Sequence, residues 1–380
     1  MSAEGSARLE VLFAASLVSA VLGSVHAFSI FLVPLEAALG LSRATVSLTY
    51  SFALVCLTLT VLAGPAIYAR FAPKHIYVTV ATLGAAGAWG AGQAAGIGGI
   101  WLGYSLAFGV ANGLGYGFGL QFAARAWPDR AGFAMGVVTA AYALGAALAG
   151  RAFEALVAIG GFSSAMTVLA LTVLGTGLLA AWIVARSGAG YADATDAVIK
   201  TRITSRHLIV IWLAYGLGVA AGLMAIGHAA GLATIAGFTG WHAPAILACC
   251  NLCGSLAAGA LTDKSPPRHL LPALTILSAV GLAWLAISPS ATLLALGLVG
   301  FSYGGIIAAY PAAIARRFPG DAGPRVYGRV FTAWGVAGLT APWVAGAIFD
   351  ATGGYGSALW LASALSLGAA ALAGQAFRQG

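Results

Sequence analysis

Asn251 and Ser255 stand four residues apart in Ala248-Cys249-Cys250-Asn251-Leu252-Cys253-Gly254-Ser255-Leu256, inside an apolar run long enough to cross a bilayer. At helical pitch an amide and a hydroxyl at this spacing share one face. Lipid offers neither a hydrogen-bond partner, so both must turn to a neighbouring helix or to a wet cavity. The residues alone leave both alternatives open. His228, in Gly222-Leu-Met-Ala-Ile-Gly-His228, poses the same choice: it could bond an anion, exchange a proton, or bind another helix. His26 is a similar case.

Tyr116 and Tyr303 are flanked by glycines in corresponding helices of the two halves of the chain, with hydroxyls that could donate to a solute or to a backbone carbonyl. Phe28, Tyr142, Phe331 and Trp334 could supply an apolar wall for a small aliphatic molecule, or plain helix packing. Cys250-x-x-Cys253 has a redox spacing, but within an apolar run these cysteines read as small packing residues. No His/Cys/Asp/Glu grouping has the spacing of a metal site or of a nucleophile–base pair, so the sequence calls for no cofactor and argues against an enzyme.

These residues sit in a chain that is 61% apolar and 7% charged, with a mean hydropathy of +0.94. No water-soluble domain of 380 residues could bury that much apolar surface, so the chain reads as an all-α, multi-pass membrane protein. Windows of ~20 apolar residues give twelve spans, at approximately 10–38, 44–68, 75–96, 100–124, 131–152, 161–185, 207–234, 243–262, 270–288, 290–315, 326–348 and 355–376. The first is too long for the core of a cleaved signal and reads as a retained helix. Placing both termini in the cytoplasm puts nearly all the basic residues on the inner side, with only Arg43 and Arg151 outside. The net charge of +8 is thus a sign of basic inner loops rather than of a nucleic-acid partner. Localisation in a cell (inner) membrane is expected. Arg151 and Glu154, three apart, should pair with each other.

The halves repeat. Arg70-Phe-Ala-Pro-Lys-His75 matches Lys264-Ser-Pro-Pro-Arg-His269, 194 positions on, and Ala124 to Gly132 matches Ala315 to Gly323, 191 positions on. The expected organisation is a six-helix bundle over 1–185, a cytoplasmic linker over 186–206 and a second six-helix bundle over 207–380. Arg70, Asp129, Arg130, Asp263, Arg316 and Asp321 fall in the repeated inner loops, where charged contacts could latch one state of the molecule or simply be solvated.

Three segments carry a resemblance: Phe31-Leu-Val-Pro-Leu-Glu36, Gly222 to His228, and Tyr327 to Gly346 followed by Asp350-Ala-Thr-Gly-Gly-Tyr355. Together they resemble the monocarboxylate transporter and oxalate/formate antiporter branch of the major facilitator superfamily, most of all bacterial lactate/proton symporter homologues. The resemblance implies the twelve-helix major facilitator fold. It also implies alternating access around a site on spans one, four, seven, eight, ten and eleven, and proton-coupled symport of a short monocarboxylate such as L-lactate. The partners would be that acid, a proton and the lipid bilayer, with a monomer as the working unit.

In that branch span eight carries Asp or Asn followed four residues later by a substrate-anchoring arginine; here these places fall on Asn251 and Ser255, so the guanidinium is missing. The lysine that symporters of animal type carry in span one is replaced by Phe28, and the antiporter-type lysine of span eleven has no counterpart. The acidic place before Arg70 is Ala69, whereas the second half keeps Asp263-Lys264. These departures leave room for a variant at position 255, for a carboxylate exchanger, or for a carrier of another small solute.

Overall fold

A computed structural model of the chain describes residues 3–191, 205–238 and 242–378. Regular structure among them is helical throughout. The long helices are α1 (Ala3–Leu22), α3 (Arg43–Tyr68), α4 (Pro73–Gly92), α6 (Gly109–Ala126), α7 (Ala131–Ser187), α8 (Ser205–Gly227), α10 (His242–Lys264), α11 (Pro267–Ile287), α12 (Thr292–Arg317), α13 (Ala322–Thr352) and α14 (Gly356–Ala376). Three short ones lie among these: α2 (Leu32–Leu39), α5 (Ile97–Ile100) and α9 (Ala229–Ile235).

Ten stretches among the described residues are long and apolar enough to cross a membrane. One of them, Pro128–Ser187, runs to 60 residues and holds two spans. It divides at Gly160–Gly161, where Gly161 has φ 67°, a conformation that only glycine adopts at little cost. The helix α4 is 20 residues long, but its glycines and its Pro-Lys-His start keep it from joining the ten by hydropathy. With it, the described helices match the twelve predicted windows.

The sequence repeat becomes the same device built twice. Pro73 and Pro267 each stand at a helix start after an extended residue, Ala72 and Pro266 respectively. A proline there loses nothing, because the first turn's N–H groups have no intrahelical acceptor. The second repeated motif is a helix end, a short turn and a helix start: α6 into α7, and α12 into α13.

The chain groups into two compact units. The first comprises 1–128 and 141–196, and in it α6 packs on α1, α3 and α4. Its chain end is pinned by Arg125, which donates to the Tyr191 carbonyl (2.6 Å) and lies 3.9 Å over the Tyr191 ring. The linker predicted over 186–206 starts in the last turn of α7 and ends in the first turn of α8; its residues 192–204, with Asp193, Asp196, Lys200 and Arg202, lie outside the described residues. The second unit comprises 129–140 and 197–380. In it α10 lies along α12, α11 against α12 and α14, and α8 against α13 and α14.

The first span of each half is not a continuous α-helix. After Leu22 the backbone tightens into a 3-10 helix over Gly23–Phe31 before α2. The seventh span breaks at His228, between α8 and α9. Trp101–Phe108, ahead of α6, is wound as a π-helix. Hydrophobic windows report length and polarity, and none of these changes of winding alters either.

Candidate functional site

In the first unit the polar side chains converge on the point where α1 changes winding. Asn112 of α6 is fully buried and donates to the Leu22 carbonyl at 2.7 Å. That carbonyl lies where the α-helical ladder passes into the 3-10 helix, and Asn112 adds a side-chain donor to it there. Tyr142 of α7 donates its hydroxyl to the Asn112 side-chain oxygen at 2.9 Å, and its ring meets Tyr116 with centroids 4.8 Å apart. On the other side the Tyr142 ring lies 5.5 Å from His26, whose Nδ1 is 2.7 Å from the Tyr50 hydroxyl. The result is a connected polar run, Leu22–Asn112–Tyr142, flanked by Tyr116 and by the His26–Tyr50 pair. Phe28 is set among Phe31, Tyr50 and Tyr104 and is buried.

In the second unit the organising pair takes a definite form. Ser255 is fully buried and donates to the Gly304 carbonyl of α12 at 3.1 Å, and also lies 3.3 Å from the Asn251 side-chain oxygen. Gly304 is obligatory: a Cβ there would stand 2.1 Å from the Asn251 carbonyl oxygen and 2.4 Å from its side-chain oxygen. The geometry of Ser255 is therefore interhelical hydrogen bonding, the first of the alternatives the sequence left open. A guanidinium at this position would have to displace the α12 backbone.

Farther along α12, Tyr303 accepts from the Trp334 indole N–H at 2.8 Å, and Trp334 stacks on Phe331 with centroids 5.2 Å apart and planes 12° from parallel. Tyr303, Phe331 and Trp334 form one aromatic block joining α12 to α13. His228 is committed at both nitrogens. Nε2 lies 2.9 Å from the Pro342 carbonyl and Nδ1 3.2 Å from the Tyr355 hydroxyl. A carbonyl can only accept, so Nε2 donates to Pro342, and Nδ1 shares a hydrogen bond with the Tyr355 hydroxyl. His228 thus ties the break in span seven to α13 and to the start of α14.

Among the loop charges Asp263 has the most developed geometry. Its two carboxylate oxygens accept from the Gly132 and Phe133 N–H groups at 2.7 and 2.8 Å, capping the start of α7 from the end of α10. Above this cap the two helices touch through small residues. A Cβ on Gly132 would lie 2.5 Å from the Gly259 carbonyl, and one on Gly136 would lie 2.7 Å from the Ser255 carbonyl. Gly132-x-x-x-Gly136 against Ser255-x-x-x-Gly259 is a small-residue crossing of the kind that lets membrane helices approach backbone to backbone. Arg316 donates to the Thr262 carbonyl at 3.0 Å, one residue from the cap. Arg70, Asp129 and Arg130 are exposed, in the turns before α4 and α7. Arg151 pairs with Glu154, as their spacing predicts.

Asn112 and Tyr50 escaped the sequence reading. Asn112 was the more detectable of the two: an amide in the middle of the glycine-rich span Gly109–Ala126 must have a partner.

No family model and no curated protein matches the chain. Solved structures do. The proton:xylose symporter XylE, bound to 6-bromo-6-deoxy-D-glucose, superposes with a TM-score of 0.72 at 15% identity, over 97% of this chain and 95% of that one. The transporter FucP in the outward conformation gives 0.67 at 16% identity, over 97% and 99%. The fold is the major facilitator fold. A substituted form of the E. coli fucose:proton symporter FucP gives 0.69 at 16% identity, over 98% and 99%. At this identity the major facilitator likeness is one of fold, and the substrates of those proteins stay with them.

Proposed function

We propose that the protein is a secondary active carrier of a small organic solute that works by alternating access, and that its substrate is a short monocarboxylate such as L-lactate taken up together with a proton. The observation that carries this reading is the chemistry of the buried polar groups. Asn112, Tyr142, His26–Tyr50, Tyr303–Trp334 and Asn251–Ser255 are all neutral hydrogen-bonding groups, and every Asp, Glu, Lys and Arg in the described helices lies towards a span end. A carboxylate entering such surroundings alone would bear the full desolvation cost of its charge, whereas acid and proton together are neutral.

In this reading Tyr142, Tyr116 and Phe28 in the first unit, and Tyr303, Phe331, Asn251, Ser255 and His228 in the second, serve the solute directly or hold the groups that do. The Asp263 cap, with Arg316 beside it and Arg70, Asp129 and Arg130 in the neighbouring turns, belongs to gating. Breaking two charge-assisted hydrogen bonds would free the start of α7 from the end of α10.

The test is uptake of labelled L-lactate into proteoliposomes, acid outside, with xylose and fucose as neutral competitors. Accumulation that collapses when the proton gradient is discharged supports the reading. Gradient-independent counterflow of carboxylates would replace symport by exchange. Carriage of neutral solutes with no lactate uptake would overturn the monocarboxylate assignment.

A further inference from the structure

The first unit has a cleft of about 290 Å³ where the N-terminal turns of α1 run beside the C-terminal turns of α7. Its polar lining is Ser6, Glu10 and Arg186, and its apolar lining includes Leu9, Phe13 and Trp182. We propose that this cleft binds a membrane phospholipid with a phosphoethanolamine headgroup, Arg186 taking the phosphate and Glu10 the ammonium.

Three observations carry the assignment. Both helices grade in the same sense. From Ser6 through Glu10 to Phe13, and from Arg186 back to Trp182, charge and hydroxyl give way to aromatic surface within two turns, roughly 10 Å at 1.5 Å per residue. That is the gradient of a lipid passing from headgroup to acyl chain, with a tryptophan at the level where interfacial aromatics gather.

The apolar side chains are also open to the surroundings rather than packed. Phe13 and Trp182 are each 58% exposed, at a height where each helix is already apolar.

The charges, finally, are opposite and uncoupled. Among the described residues neither Glu10 nor Arg186 forms an ion pair. Glu10 accepts from the Ser6 hydroxyl at 3.4 Å, and the Arg186 guanidinium carbon stands 5.6 Å from the Trp182 ring centre. A cleft with one anion and one cation held apart complements a zwitterion. A phosphocholine head offers Glu10 no N–H to accept, and a phosphoglycerol head offers it no positive charge.

The test uses the full-length chain purified in mild detergent. It is exposed to equimolar phosphatidylethanolamine, phosphatidylcholine and phosphatidylglycerol with identical acyl chains, and retained lipid is counted by native mass spectrometry. The wild-type protein should keep phosphatidylethanolamine several-fold over the other two. Glu10→Gln should erase that preference while leaving total phospholipid nearly unchanged. Arg186→Gln should lower retention of all three by about five-fold, the effect of one interfacial cation near ~1 kcal/mol. Equal retention of the three lipids by the wild-type protein would mean annular lipid only and would overturn the proposal without any variant. So would a Glu10→Gln protein with the wild-type preference, or a wild-type preference for phosphatidylglycerol. Gel filtration and an unfolding curve on each variant separate lost lipid from lost fold.

Discussion

At the scale of single residues, the largest stability effects should come from polar groups whose removal strands a partner. Asn112→Ala takes the side-chain donor from the Leu22 carbonyl and leaves the Tyr142 hydroxyl without its acceptor. A cost of about 1–3 kcal/mol is expected for such a group, visible as a lowered midpoint in a detergent thermal melt. Tyr142→Phe, which removes a donor that Asn112 can lose more cheaply, should cost less than half as much in the same assay. Ser255→Ala gives up one interhelical hydrogen bond and should be nearly neutral, about 0.6 kcal/mol by the average for membrane helices. Ser255→Arg should fail to give a monodisperse protein on gel filtration, because the position is fully buried against α12. A folded, active arginine variant would show that Ser255 can turn away from Gly304.

At the scale of elements, the crossing of α7 and α10 depends on having no side chain between two backbones. Gly136→Val places carbon where only 2.7 Å separates an ideal Cβ from the Ser255 carbonyl, and should push the helices apart. Cysteine cross-linking between positions on α7 and α10 would read this as lost cross-linking yield. Asp263→Ala removes both acceptors from the start of α7 without adding bulk. By analogy with a lost helix cap it should cost about 1–2 kcal/mol, and in proteoliposomes it should alter the uptake rate more than Arg70→Ala does. Equal effects of the two substitutions would show that Asp263 has no special part in gating.

Elements also show where the sequence was informative and where it was not. Length and hydropathy located the spans, and the duplicated Pro motifs marked corresponding turns of the two halves, because both properties are local. The change of winding at Gly23 was not legible: 3-10 and α-helical turns bury the same residues, and the side-chain donor that meets the junction comes from Asn112, 90 residues away. For Asn251 and Ser255, periodicity gave the shared face correctly. It could not say that the face meets the backbone of α12 at Gly304, since that depends on a glycine 49 residues from Ser255.

At the scale of the whole molecule, the resemblance and the geometry bear on different questions. The superposed structures agree with the fold that the repeat and the motifs implied, while the missing guanidinium at position 255 bears on the substrate. Residues 129–140 come from the first half of the sequence, yet they cluster with the second half, anchored by Asp263 and seated on Gly259. A gene divided within 192–204 would therefore encode two fragments of unequal self-sufficiency. The C-terminal fragment would lack the helix start that its own Asp263 caps, and the N-terminal one would carry a bare Gly132–Gly136 edge. Expressed singly, each should be cleared by membrane proteases; expressed from two plasmids in one cell, they should rescue each other and co-purify. The fusion of the two ancestral halves would then be difficult to undo, because one half carries a piece of the other's packing.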